Sequence, residues 1–195
     1  MKIFNLYETG GISVEDPGLK DYINLDEKLI LKSHGRAREK FGKAKVNVIE
    51  RLINLVAVPG HRGKKHKIIT GRASGKYSKN MKIVLSSLNI IQEKTGKNPI
   101  QVIAQAVENA APRDEITVIE YGGARYPQAV DVSPLRRLNL VLRNIVHGAY
   151  DKSFNKKTKI EESLAQEIIL AGEGSMESFA MQKKNESEKQ ADSAR

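Results

Sequence analysis

Seven cations and no acid stand between Gly60 and Asn80, in GHRGKKHKIITGRASGKYSKN. They are Arg62, Lys64, Lys65, Lys67, Arg72, Lys76 and Lys79, interleaved with four glycines. Such a stretch can track an irregular phosphate backbone, since glycine lets the chain bend and each cation displaces a condensed counterion. It would bring affinity without sequence readout. A nucleotide-binding phosphate loop is excluded, because no GxxxxGK[ST] occurs and Gly75-Lys76 is followed by Tyr77. His61 and His66 are too sparse for a metal centre and fit solvated or phosphate-facing roles. With no cysteine, disulfides and thiolate zinc sites are out. Catalytic chemistry has little to work with. Glu108 and Glu120 lack a partner carboxylate at a telling spacing, and Ser133 is explained as a helix cap. His147 shares a polar helix face with Arg143, which reads as RNA-facing rather than as a general base. No nucleophile, base and orienting group can be assembled, so no enzyme and no cofactor is expected.

The charge is concentrated. From Lys32 to Lys82 there are fifteen Lys or Arg against Glu39 and Glu50, a local +13. The whole chain carries +10, so the remainder sums to −3. A charge run is often only a solvated face, but this asymmetry implies a polyanionic partner. At 195 residues and 39% hydrophobic content the chain can bury one core. No apolar run reaches membrane-spanning length and no signal peptide is visible, so a cytoplasmic protein without membrane contact is expected.

The elements that must position these groups follow from periodicity. Residues 1–37 hold six acids and five Lys or Arg, with breakers at Gly10-Gly11 and Pro17-Gly18. They read as an irregular extension with a short helix near Leu25–Leu31. Residues 38–195 read as a single helical domain. Asn47 and Glu50 form a capping-box-like start for a helix ending at Pro59-Gly60, with Val48, Leu52, Leu55 and Ile49, Ile53, Val56 at helical spacing. The basic loop 60–79 follows. Ser78 can cap a helix with a Met81, Leu85, Leu88, Ile91 stripe, ending near Gly96. Asn98-Pro99 opens another, with Ile100, Ile103, Ala104 and Val107 inward, stopped by Pro112.

Residues 114–132 then switch to the period of strands. Ile116 and Val118 alternate with Thr117 and Ile119, Gly122-Gly123 supplies a two-residue turn, and Tyr126, Val130 and Val132 resume the alternation. A lone hairpin is marginal in water, and no other segment offers convincing strands, so this one reads as an arm. Pro127 and Arg125 guard its edges. Ser133-Pro134 starts a long helix with Leu135, Leu138, Leu142, Ile145 and Ala149 on one side and Arg136, Arg143 and His147 on another. Thr158 and Glu161 suggest a capping box for a helix running to Gly172. Ser175 opens a polar C-terminal helix or tail, 175–195. The expected fold is mainly α: a bundle of about six helices with a projecting two-stranded β-hairpin arm.

The motifs YGGARYPQAVDVSPLRR and, before it, NPIQVIAQAVENAAPRDE resemble the core of the universal small-subunit ribosomal protein seven family, in its archaeal and eukaryotic branch. SFNKKTKIEESLAQEIILA and SFAMQKKNESE extend the match from about Asn80 to Arg195, with looser similarity at INLDEKL, FGKAKVNVIERLIN and GKK. The chain departs from the family where extra residues follow Gly63-Lys64-Lys65. The resemblance implies direct binding to the three-prime major domain of small-subunit rRNA, nucleation of head assembly, contacts with neighbouring small-subunit proteins, and a place at the subunit interface near the tRNA and mRNA exit region. The cations expected to meet rRNA are Lys43, Lys45, Arg62, Lys64, Lys65, Lys67, Arg72, Lys76, Lys79, Arg113, Arg136, Arg137 and Arg143, of which the resemblance itself matches Arg136, Arg137 and Arg143 to basic positions at the base of the arm. The arm implied to face exit-site tRNA and mRNA is Tyr121, Gly122, Gly123, Ala124, Arg125 and Tyr126. A competing reading, a free-standing helical nucleic-acid-binding regulator, would need a compact recognition helix. Cations spread over loops, an arm and a helix suit folded RNA better.

Overall fold

The computed structural model describes residues 2–33, 38–62, 65–66 and 71–195. Among these, seven α-helices and two small antiparallel hairpins appear. The helices are α1 (Pro17–Lys20), α2 (Val48–Val56), α3 (Tyr77–Thr95), α4 (Pro99–Ala110), α5 (Pro134–Ser153), α6 (Ile160–Gly172) and α7 (Phe179–Asp192). A 3-10 turn, Gly42–Lys45, precedes α2. The strands are β1 (His61–Arg62), β2 (Lys65–His66), β3 (Asp114–Tyr121) and β4 (Ala124–Asp131). The expected mainly helical fold is present. The long hairpin lies between the third and fourth of the six longer helices.

α6 is the hub, touching α3, α4, α5 and α7. Leu164, Ala165, Ile168 and Ala171 are buried along it. Two glycines let its neighbours approach. A Cβ on Gly148 of α5 would lie 2.7 Å from the Phe179 Cβ and 2.9 Å from the Glu167 Cδ, and one on Gly172 would lie 3.3 Å from a Val102 methyl. At the α5–α6–α7 junction Glu167 is fully buried. It is satisfied by Lys152 Nζ at 2.8 Å, Ser178 Oγ at 2.7 Å and the Ala180 amide at 3.2 Å.

Local signals hold at several ends. Asn98 accepts from the Ile100 amide at 3.0 Å with Pro99 behind it, and Gly96 ends α3 in the left-handed region at φ 65°. Asn47 caps α2 through the Ile49 amide at 2.9 Å. Glu50 does not close a capping box, however, because its carboxylate accepts from the Ser33 amide at 2.7 Å instead. Lys76, not Ser78, precedes α3, and Lys159, not Thr158, precedes α6; neither gives a side-chain cap. Pro134 does open α5, but Ser133 makes no side-chain cap bond. The buried face of α3 is Ile83, Val84, Ser87, Leu88 and Ile91, rotated from the expected stripe so that Met81 and Leu85 sit at its margin.

The N-terminal segment departs most from expectation. No helix forms at Leu25–Leu31; α1 forms at Pro17–Lys20, where Asp16 caps through the Gly18 amide at 2.8 Å. Around 24–31 the backbone is engaged elsewhere. The Asn24 carbonyl accepts from the Val48 amide at 2.9 Å and the Lys28 carbonyl from Phe4 at 3.2 Å, while Leu31 accepts from the Tyr77 hydroxyl. Ile3, Tyr7, Leu19, Ile23 and Leu31 are buried in the common core. Asn98 Nδ2 donates to the Glu8 carbonyl at 2.7 Å, and Gln101 pairs with the Ser13 backbone at 3.1 and 3.2 Å. The segment is therefore strapped across α4 rather than hanging from it.

In the long hairpin Tyr121 pairs with Ala124, and Asp114 with Asp131. Gly122 and Gly123 both take positive φ, 59° and 80°, the two-residue turn that matches strand twist. Its base is half-buried and its outer part, from Thr117 round to Gln128, is exposed on both faces. α7 braces the base: Ser187 Oγ donates to the Asp114 carbonyl at 3.1 Å, Glu188 accepts from the Arg113 amide at 3.0 Å, and Lys184 Nζ donates to the Asn109 carbonyl at 2.7 Å. The polar C-terminus is thus a docked helix, with Ala180 and Ala191 fully buried while Met176 is exposed.

Candidate nucleic-acid interface

On α5, Arg136, Asn139, Arg143 and His147 recur at steps of three, four and four, so they share one face. Arg143 is exposed, with no carboxylate paired to it among the described residues. Lys43, on the 3-10 turn, is held below the ordinary lysine range, first by partial burial and then by the Arg51 and Arg143 guanidiniums. Three cations from three elements therefore share one field. Arg51, on α2, is itself 3% exposed. It is depressed to about 10 by burial and still cationic at neutral pH. Its Nη2 donates to Asn139 Oδ1 at 2.7 Å. Ser33, Lys43, Val46, Arg51, Asn54, Leu55 and Asn139 line a cavity of about 380 Å³ there.

Further along α5, Arg62 of β1 forks onto Asp151, with both N–O distances 2.7 Å, and donates to the His147 carbonyl at 3.1 Å. This bidentate pair pins the small β1–β2 hairpin to α5. The pinned hairpin (His61 opposite His66, Arg62 opposite Lys65) is itself a strand pair that the sequence had not suggested. Arg62, expected to meet phosphate, is thus held by a carboxylate and a carbonyl of α5. His147, expected on an exposed polar face, is buried at 7% exposure. Burial, then Arg62 and Arg143, push its pKa down to about 4 against a weaker opposing pull from Asp151. It is neutral at physiological pH.

Arg137 is also internal, at 9% exposure. It binds Asp16 at 2.8 Å and donates through Nε to the Pro112 carbonyl at 3.2 Å. Burial alone would raise the Asp16 carboxyl, but hydrogen bonds from Arg137 and the Gly18 amide hold it below the usual range. One side chain thereby joins α1, the hairpin entrance and α5. The helical period carries Arg137 a hundred degrees from Arg136, onto the buried side. Arg136 stays exposed, paired with Glu115 at 2.6 Å.

The other expected cations are distributed more widely. Lys45, Arg72, Lys76, Lys79 and Arg113 are exposed. Lys45 lies 3.7 Å from Glu39, and Lys76 donates to the Gly71 carbonyl at 3.2 Å. Lys64 and Lys67 lie outside the described residues, and Lys65 is described only as part of β2. At the arm, Tyr121 is 82% and Tyr126 58% exposed, beside exposed Val118 and Ile119. Aromatic faces so displayed can stack on unpaired bases. Among the described residues Arg125 pairs with Glu120, at 3.7 Å. Sequence reasoning missed Arg51 and Asn139. The sequence carried no signal for Arg51, because Glu50, Arg51 and Asn54 fall on one polar face of α2 that reads as solvated. No cluster suited to a metal ion occurs among the described residues, and no helix there is long and apolar enough to cross a membrane.

This architecture is a helical bundle with a basic face and a bare hairpin arm. Comparison with known proteins makes it specific. Residues 20–195 match the family described as ribosomal protein S7p/S5e. The chain is 50% identical over 196 residues to the small ribosomal subunit protein uS7 of Nanoarchaeum equitans, covering 100% of this chain and 99% of that one. It is 45% identical over 193 residues to the uS7 of Methanothermobacter thermautotrophicus, covering 98% of each. The chain belongs to the ribosomal protein S7p/S5e family, a structural and non-catalytic class.

Proposed function

We propose that this protein is a structural constituent of the small ribosomal subunit that binds its rRNA directly through the face carrying Lys43, Arg51 and Arg143. The observation that supports this is the convergence of three cations from separate elements, with no carboxylate paired to them among the described residues. Such a cluster repels itself in the free protein and is relieved by phosphate. Exposed Lys45, Arg72, Lys76, Lys79, Arg113 and Arg136 extend the contact. The RNA is the three-prime major domain, whose folding around the bundle nucleates the head alongside neighbouring small-subunit proteins. The arm from Tyr121 to Tyr126, about 20 Å beyond the braced base by strand rise, reaches toward tRNA and mRNA at the exit side of the subunit interface. Lys43→Glu with Arg143→Glu tests the face. Both side chains are exposed, so helicity should persist while affinity for a three-prime major domain transcript falls at least about tenfold. Wild-type protein that bound bulk tRNA as tightly as this transcript would overturn the reading.

A further inference from the structure

Arg51 is the unusual group on this surface. Among the described residues its buried Nε and Nη1 have no hydrogen-bond partner, and Nη2 is satisfied by a neutral amide. The neighbouring Glu50 carboxylate is turned to the Ser33 amide. A buried guanidinium without a counter-ion is costly, because desolvation is uncompensated. Folding nonetheless places it at the wall of a cavity of about 380 Å³, with Lys43 and Asn139 on the same wall. Asn139 spends its carbonyl oxygen on Arg51, which leaves its amide nitrogen to donate. Among the groups lining the cavity, Lys43, Arg51 and the Asn139 amide nitrogen are donors suited to an anion.

We propose that Arg51, Lys43 and Asn139 form a pocket that takes one phosphate group of the bound RNA backbone, making this a discrete anchoring point within the basic face. The inference rests on the rRNA-binding reading above and deepens it. Buried Arg51 supplies charge at the wall, since its Nε and Nη1 are closed to solvent and its Nη2 is held by Asn139, while exposed Lys43 and the Asn139 amide nitrogen can form bonds to the phosphate. Apolar Val46 and Leu55 on the same wall lower the local dielectric and strengthen those bonds. In the free protein the uncompensated charge is a liability, and on RNA it becomes a paired one.

The test compares wild type with Arg51→Met, which keeps most of the stem but removes the charge, and with Asn139→Ala. Each is measured for affinity to the three-prime major domain transcript across a salt series, and for melting temperature in inorganic phosphate against chloride at equal ionic strength. Arg51→Met should melt no lower than wild type in chloride, because an unpaired buried charge has gone. It should bind RNA about ten- to a hundredfold more weakly, with a salt slope smaller by about one. Wild type should gain melting temperature in phosphate, and Arg51→Met should lose that gain. Asn139→Ala should weaken RNA binding in the same direction, and it serves as the deciding variant if Arg51→Met does not fold. Wild-type affinity and slope in Asn139→Ala together with any folded Arg51→Met would overturn the pocket while leaving the rRNA reading intact. Failure of the wild-type protein itself to prefer the transcript would overturn the reading on which the pocket rests.

Discussion

Two arginines adjacent in sequence, Arg136 and Arg137, have opposite fates, and the difference has measurable consequences. Arg137 closes a three-way junction through Asp16 and the Pro112 carbonyl. Arg137→Ala should cost about 1.5–3 kcal/mol, since a hydrogen-bonded charged group is left short of a partner. Denaturant titration would check this, and Arg136→Ala is the control expected to cost under about 1 kcal/mol at its exposed pair. His147 carries a second prediction. Its folded pKa, about 4, lies below the ordinary value of 6.5. Between those two the unfolded chain takes a proton that the folded protein refuses, so this residue's contribution to stability is intact above about pH 6.5 and lost as pH falls toward 4. His147→Gln should flatten the pH dependence of melting temperature across that window. An unchanged dependence would mean that the imidazole is not held neutral.

Among the elements, the α5–α6–α7 junction and the arm behave oppositely. Gly148 is where α5 meets α7 at backbone range, with Glu167 beneath. Gly148→Ala should destabilise by about 1–3 kcal/mol through overpacking, despite alanine's better helix propensity. A stabilised variant would show that the helices separate freely there. The arm has no sheet to lose, and its exposed part buries little. Replacing Ile116–Val130 by a short Gly-Ser turn should leave the melting temperature nearly unchanged, since Asp114 keeps its bonds to α7. rRNA binding should survive in large part, while exit-site tRNA occupancy and frame maintenance on subunits carrying the shortened protein should suffer. Normal values for both, with full incorporation, would leave the arm a role in assembly alone.

For the molecule as a whole, charge sets the regime. With +10 overall and a local +13 from Lys32 to Lys82, six phosphate contacts would lower affinity about a thousandfold between about 50 and 200 mM salt. A binding constant flat over that range would refute an electrostatic interface. The strapped N-terminal segment bears on the same surface, because Ser33 joins Lys43 and Arg51 in lining the pocket. A segment that reads as an irregular extension thus packs into the core over its described residues and borders the proposed binding face.

What the sequence determined by itself was local or compositional. Gly122-Gly123 between alternating residues specifies a hairpin, Asn98-Pro99 and Gly96 specify helix ends, and the charge density specifies a polyanionic partner. The motifs around Asp131–Arg137 specify the family. Each depends on neighbours within a few positions, where backbone sterics and periodicity act directly. What only the tertiary structure decided was which cations remain available. Arg137 is spent on Asp16, 121 residues away, and Arg62 on Asp151, 89 away, whereas Arg51 is buried beside Asn139, 88 away, with no anion paired to it among the described residues. Sequence reveals the sign of a charge. Whether that charge is already neutralised depends on which distant segment packs against it, and that is a property of the folded core.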